Sequence, residues 1–224
     1  MIKLLGNEIM PTIFEAKMDG SNAVRYFHIS MVRFYLDQAY ENCLKAKEDC
    51  QEGLLLASSV IGIVFSAMSI ESFVNEICED VVSKEDLKDF IHLRKSFRKE
   101  KGESSVAAKL RILFNMKFNQ NLPDELRVGM EEVISLRNNL VHYKLSEMAG
   151  KYILPPVTTT PTSDGQYMHT IDFTVKPERV EPPFIQKVSG SAAANCFNSA
   201  LALINEWGKL HGEMDSVPGM QKIA

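Results

Sequence analysis

The residue types best suited to chemistry lie together in Leu136-Arg137-Asn138-Asn139-Leu140-Val141-His142-Tyr143-Lys144. An imidazole moves protons near neutral pH, a guanidinium grips an oxyanion through a planar fork, and the amide of Asn138 can orient the histidine or a phosphate oxygen. On a helix Arg137 and His142 differ by about 140° around the axis, so only the length of the arginine lets the two act together. Asn138 lies one turn before the histidine on its face, with Ser135 behind it. His28, His92, His169 and His211 have no partners at ligand spacing, and no tight group of Asp, Glu and His calls for a metal. The expectation is chemistry with neither metal nor cofactor.

The element that carries these residues opens at Pro123-Asp124-Glu125, where proline needs no amide partner and the acids complement the helix dipole. The pattern predicts a helix to about Tyr143. Its apolar stripe reads Leu126, Met130, Val133, Arg137, Leu140, so an arginine occupies a core position where an unpaired charge is costly. An upstream helix shows the mirror case, Val60, Val64, Ala67, Glu71, Val74, Cys78. The economical expectation is that Glu71 and Arg137 meet across a bundle. Two plainer readings stand beside it: a purely structural buried ion pair, and a His142 that only caps the carboxyl end of its helix.

Arg137, the polar Asn138 and His142 near the end of a long helix, preceded by an apolar helix bearing Ser69-Ile70-Glu71-Ser72-Phe73-Val74-Asn75, resemble the HEPN superfamily and its R-x4-6-H motif. The resemblance covers roughly residues 23 to 143 and the last helix. It implies an all-α, HEPN-like bundle of four to five helices that forms a homodimer, with two motifs facing one cleft. It also implies a metal-independent endoribonuclease of the toxin or phage-defence kind, with RNA as substrate and an antitoxin protein as a further partner. Arg137, His142 and Asn138 would be catalytic, with Glu71, Asn75 and Tyr143 in support. Cleavage of RNA through its own 2′-hydroxyl needs a proton acceptor, a proton donor and a cation near the phosphorane charge, which these residue types supply. Tyr143 follows His142 directly and Lys144 takes the next place, unlike the His-x-Tyr of members paired with nucleotidyltransferase antitoxins. The alternative is a non-catalytic module of the same fold that binds a nucleotide, RNA or a protein. A purely structural scaffold is the third class.

The chain of 224 residues is 45% apolar and 24% charged, enough for a sizeable core and unlike a disordered or fibrous sequence. Its 25 Lys and Arg against 29 Asp and Glu give a net charge of -4, so any nucleic-acid surface must be local. One such segment exists: nine basic residues between Lys88 and Lys117 face three acids, an excess of six. Arg94, Lys95, Arg98, Lys99, Lys109 and Arg111 are the candidate RNA contacts, set against the plainer reading of a solvated helical face. Cys43, Cys50, Cys78 and Cys196 fit neither a disulfide scaffold nor a zinc knuckle and are read as reduced core thiols.

The elements are read as follows. Residues 1–22 form an extension without clear period. A helix spans about 23 to 50 on the stripe Ile29, Val32, Leu36, Ala39, Cys43, Ala46, Cys50. Gly53 turns the chain into an apolar helix to about Asp80, an antiparallel neighbour. Leu54 to Ile70 is seventeen residues without a charge, near the lower limit for a membrane span, but Ser58, Ser59, Ser66, Ser69 and the abrupt Glu71 favour a central buried helix. Two shorter helices are expected over Lys84–Lys99 and Ser104–Phe118. Leu145 to Gln186 holds six of the nine prolines, so helix gives way to an insertion in which Ile171, Phe173 and Val175 pair with Tyr152–Val157 as a small hairpin. A final helix runs from about Ser191 to His211, and 213–224 form a tail. The reading is thus a single domain over 23–212 with an insertion at 145–186. The amino terminus breaks its apolar run too early for a signal peptide, so a cytoplasmic chain without a membrane partner is expected.

Overall fold

The computed structural model describes residues 12–28, 30–48, 57–142, 149–155, 157–172, 174–212, 217 and 219–224. The elements in chain order are β1 (Thr12–Asp19), β2 (Asn22–His28), α1 (Met31–Glu48), α2 (Ala57–Val81), α3 (Leu87–Ile91), α4 (Ser105–Phe118) and α5 (Asp124–Val141). They continue with β3 (Lys151–Ile153), β4 (Val157–Pro161), β5 (Tyr167–Ile171), β6 (Glu178–Val180), α6 (Pro183–Gln186) and α7 (Gly190–His211). The chain is mainly helical, with short two-stranded sheets at its amino end and in the proline-rich insertion.

Helix α2 sits at the centre and packs against α1, α4, α5 and α7. By length and composition it is apolar enough to cross a bilayer, and a helix apolar on all sides is also what the middle of a bundle needs. Its small residues let neighbours come close. A Cβ on Gly62 would lie 2.6 Å from the Cys43 sulfur of α1. Ser66 and Ser69, fully buried, donate their hydroxyls back to the carbonyls of Gly62 and Ser66, each at 2.7 Å, so these two do not enter the core unpaired; the buried Ser59 hydroxyl has no partner among the described residues. At the far end Trp207 of α7 meets Phe73 of α2 and Phe114 and Phe118 of α4, with ring centroids 5.9, 5.2 and 4.7 Å away. These edge-on contacts lock three helices around one indole.

The α1 stripe is buried as its period requires at Val32, Leu36, Ala39, Cys43 and Ala46; Ile29 and Cys50 lie outside the described residues. The helix begins later than 23. Residues 22–28 form β2 instead, paired antiparallel with β1 through a two-residue turn in which Gly20 takes φ +61°. Asp19-Gly20-Ser21-Asn22 is hairpin chemistry, so residues 12–22 are not a formless extension. The true start of α1 is marked by Glu76 of α2, which accepts the Ser30 hydroxyl at 2.8 Å and the Met31 N–H at 3.0 Å. A carboxylate there meets the positive end of the helix dipole. Burial raises the Glu76 pKa, outweighing the hydrogen bonds from Ser30 and Met31 that lower it.

The helix expected over Lys84–Lys99 shrinks to α3. Leu93 and Lys95 adopt φ +50° and +54°, and the Arg94 N–H turns back to the Asp89 carbonyl at 2.8 Å, which ends the helix before the basic run. Ser104 then caps α4, accepting the Ala107 N–H at 3.1 Å. In the insertion the expected hairpin forms only in part, and Val175 lies outside its strands. Val157 pairs with Ile171, but Tyr152 pairs with Arg179, giving one arm with two ladders, β3–β6 at its base and β4–β5 at its tip. Phe173 lies outside the described residues.

Helix α7 starts at the Ser189 cap and stops at Gly212, whose φ is +88°, and it buries Phe197, Leu201 and Ile204. Its first turn touches α1 backbone to backbone, since a Cβ on Gly190 would lie 2.4 Å from the Ala46 carbonyl oxygen. The last residues dock on it too: Asn198 donates to the Ile223 carbonyl and accepts its N–H, both at 2.8 Å. Cys43, Cys78 and Cys196 are free and buried, and burial pushes the Cys43 and Cys196 thiols up to about 12.

Candidate active site

Helix α5 is laid against α2 and α7 by Met130, Val133 and Ile134, which are buried. That fixes its rotation and turns Arg137 inward toward α2. Arg137 Nη2 forms an ion pair with Glu71 Oε1, with side chains 21% and 33% exposed respectively. The two charges interrupting the apolar stripes of α2 and α5 therefore neutralise each other. They do so at the rim of the core, where partial hydration lowers the cost of burial.

Asn138 touches Arg137 through its side chain and the His142 backbone through the last turn of the helix. Its side-chain oxygen accepts Arg137 Nη1 at 2.9 Å, and its backbone carbonyl accepts the His142 N–H at 2.8 Å. His142 is the residue that ends α5, with φ -117° and ψ 28°, and its side chain is exposed. Among the described residues none hydrogen-bonds its ring. Asn75 lies one turn beyond Glu71 on α2 and is exposed; its carbonyl accepts the Cys78 thiol at 3.0 Å. Tyr143 lies outside the described residues.

Comparison with protein families, curated proteins and solved structures returns no match. The chemistry is therefore argued from this geometry alone.

The six candidate cations differ in their partners and exposure. Arg111 is 27% exposed, and its Nε lies 2.9 Å from Glu103 and its Nη1 3.4 Å from Glu100, while Nη2 donates to the Arg98 carbonyl at 3.1 Å. It holds the 98–103 loop. Burial opposes ionisation of Glu103, but the bonds from Arg111 and the Glu100 N–H prevail and hold its pKa low. Lys95 pairs with Asp89. Lys99 reaches the Ser105 hydroxyl at 3.4 Å, and Arg98 Nε donates to the Lys95 carbonyl at 2.9 Å. Arg94 is exposed and Lys109 half-buried.

Sequence reasoning missed the acids that organise this end. Glu131 of α5 accepts the Ser104 N–H at 2.9 Å and so fixes where α4 begins. The two groups come from different helices, and no local spacing signals such a pair. Two cavities of about 770 and 430 Å³ share Arg127, Glu131 and Ser135, running along the outer face of α5 as far as Asn139. Neither is lined by Arg137 or His142.

Proposed function

We propose that this chain is a metal-independent endoribonuclease of HEPN type, a component of a toxin or phage-defence system, with the fold read as a HEPN-like helical bundle. The observation that supports it most is the unit made by Glu71, Arg137, Asn138 and His142. Glu71 holds the cation in one place, Asn138 bridges it to the end of the helix, and His142 faces solvent without a described partner. In the reaction the 2′-oxygen of a ribose attacks the adjacent phosphorus as a base takes its proton, and the 5′-oxygen leaves as an acid supplies one. Arg137 stabilises the phosphorane charge. His142 is the proton-transfer group, and its counterpart in a second subunit of a homodimer supplies the other role. An antitoxin protein is the partner that would keep such an activity in check, and the cytoplasm is its site of action.

The test is incubation of the pure protein with single-stranded RNA in EDTA. Cleavage by the wild type, lost in both Arg137→Ala and His142→Ala with the helical circular dichroism unchanged, is the expected result. Cleavage that persists in either variant sinks the proposal.

A second reading, a non-catalytic module that binds RNA, a nucleotide or a protein, is favoured by one observation: the guanidinium already has two partners, Glu71 and Asn138. RNA retained on a filter by the wild type and never cleaved selects this reading.

A further inference from the structure

The arm formed by β3 to β6 stands apart from the core. Every residue of β4 is exposed, and so is all of β5 except the half-buried Ile171. Tyr167, Met168 and Val157 are 69%, 55% and 51% exposed. A two-stranded ladder with neither face covered is marginal by itself, so its tip has reason to acquire a partner.

The edges of the arm differ along its length. The base ladder carries Lys151, Glu178 and Arg179, charges of the kind that keep strand edges from joining. The tip ladder carries none: from Leu154 to Ile171 the only charged residue is Asp164, in the turn. Strand β5, Tyr-Met-His-Thr-Ile, has no proline either, and among the described residues no strand pairs with its outer side. Its backbone polarity follows from the ladder. The Thr162 N–H donates to the Gln166 carbonyl at 2.8 Å, and the pairing from Pro161↔Tyr167 to Val157↔Ile171 has no bulge. Alternation then turns the N–H and C=O groups of Tyr167, His169 and Ile171 away from β4.

From this edge we infer that β5 pairs antiparallel with β5 of a second copy of this chain, joining two hairpins into a four-stranded sheet about a two-fold axis at His169. The register is self-complementary. His169 faces its own counterpart with outward N–H and C=O groups on both strands, Tyr167 faces Ile171, and Met168 faces Thr170. An aromatic residue opposite a β-branched one is a favourable cross-strand pair, and a symmetric contact needs one patch that fits itself. A strand with fixed charges would repel its copy in this arrangement; β5 has none. The pairing is separate from Arg137 and His142 and does not depend on the proposed activity.

The experiment uses the full chain. The His169 N–H points outward, so His169→Pro removes the central intermolecular donor while sparing the backbone bonds of the β4–β5 ladder, and His169→Lys sets two like charges opposite each other on the axis. Both lose the 3.0 Å bond between the His169 ring and the Thr159 hydroxyl, and Thr159→Val, which removes that bond alone, is the control that should leave association unchanged. In sedimentation equilibrium the wild type is expected to show an association step at micromolar concentration that is separate from any pairing of the Arg137–His142 motifs. Both His169 variants are expected to raise the dissociation constant of that step at least tenfold while leaving a motif-facing dimer unchanged. Facing Cα atoms in such a pair are about 5.5 Å apart, within reach of a disulfide. In a Cys50→Ser background, His169→Cys should therefore cross-link under mild oxidation, and Ser163→Cys, in the turn, should not. A monomeric wild type, or cross-linking no greater at 169 than at 163, overturns the inference. Absent cross-linking at 169 together with loss of RNA retention in Tyr167→Ala would assign the arm to nucleic acid instead, and also overturns it.

Discussion

Glu71 of α2 and Arg137 of α5 each break the apolar stripe of their own helix, and they break it at the same place in space, closing an ion pair between the two helices. Removing one partner leaves the other half-buried. Glu71→Ala is expected to destabilise the fold by about 1–2 kcal/mol in urea denaturation, between the values for exposed and buried pairs. The double variant Glu71→Ala with Arg137→Ala should lose less than the sum of the single losses, and strict additivity would show that the contact has no energetic weight.

The geometry of the guanidinium matters as well as its charge. Arg137→Lys retains an ion pair with Glu71 but cannot reach Glu71 and Asn138 through one planar fork. In the ribonuclease reaction proposed above, cleavage would be expected to fall by about a hundredfold, as when a transition-state donor is removed, with little change in melting temperature. Full activity in this variant would mean that a point charge suffices.

The contact of α7 with α1 predicts a sharp steric effect. Gly190→Ala drives a methyl group into the Ala46 carbonyl, and backbone cannot swing aside, so a loss of about 3 kcal/mol is expected. Gly62→Ala meets a side chain instead, the Cys43 sulfur. Adding Cys43→Ala should recover much of that second loss, and thermal melts of the single and double variants measure it.

Acid should weaken the 98–103 loop. The folded pKa of Glu103 lies below its ordinary value of 4.5, with the Arg111 bonds and the Glu100 N–H overcoming the opposing effect of burial. A depressed folded pKa gives stability that is present above the unfolded pKa and is lost as pH falls through the folded one. Arg111→Met is therefore expected to be less stable than wild type at neutral pH, and the gap should narrow as the pH drops below 4.5. A gap that stays constant down to acid pH would separate the pair from stability.

The long helices were legible because burial marks the sequence: α1, α5 and α7 each bury one face and leave a period, and the central α2 leaves an apolar run. Glu71 and Arg137 were legible for the opposite reason, since a charge in such a stripe must find its counterpart. Where local signals competed, the reading failed. Ala23 to His28 look like the entry to α1, yet the turn at Gly20 pairs them with β1, and the lysines and arginines after α3 favour helix while Leu93 and Lys95 turn left-handed. The bonds from Glu76 to Ser30 and from Glu131 to Ser104 left no trace in the sequence, because each links residues from separate helices. Of the basic segment, the composition was visible but not its internal pairing with Asp89, Glu100 and Glu103.

His142 closes α5, and that position sets its freedom relative to Arg137. The arginine is braced from two sides, whereas among the described residues the imidazole has no side-chain partner and is held through the main chain behind it. The motif thus works like a vice with one jaw bolted down and the other on a pivot. In the ribonuclease proposed above, the guanidinium would therefore be placed by the fold before substrate arrives, while the orientation of the imidazole would be set on binding.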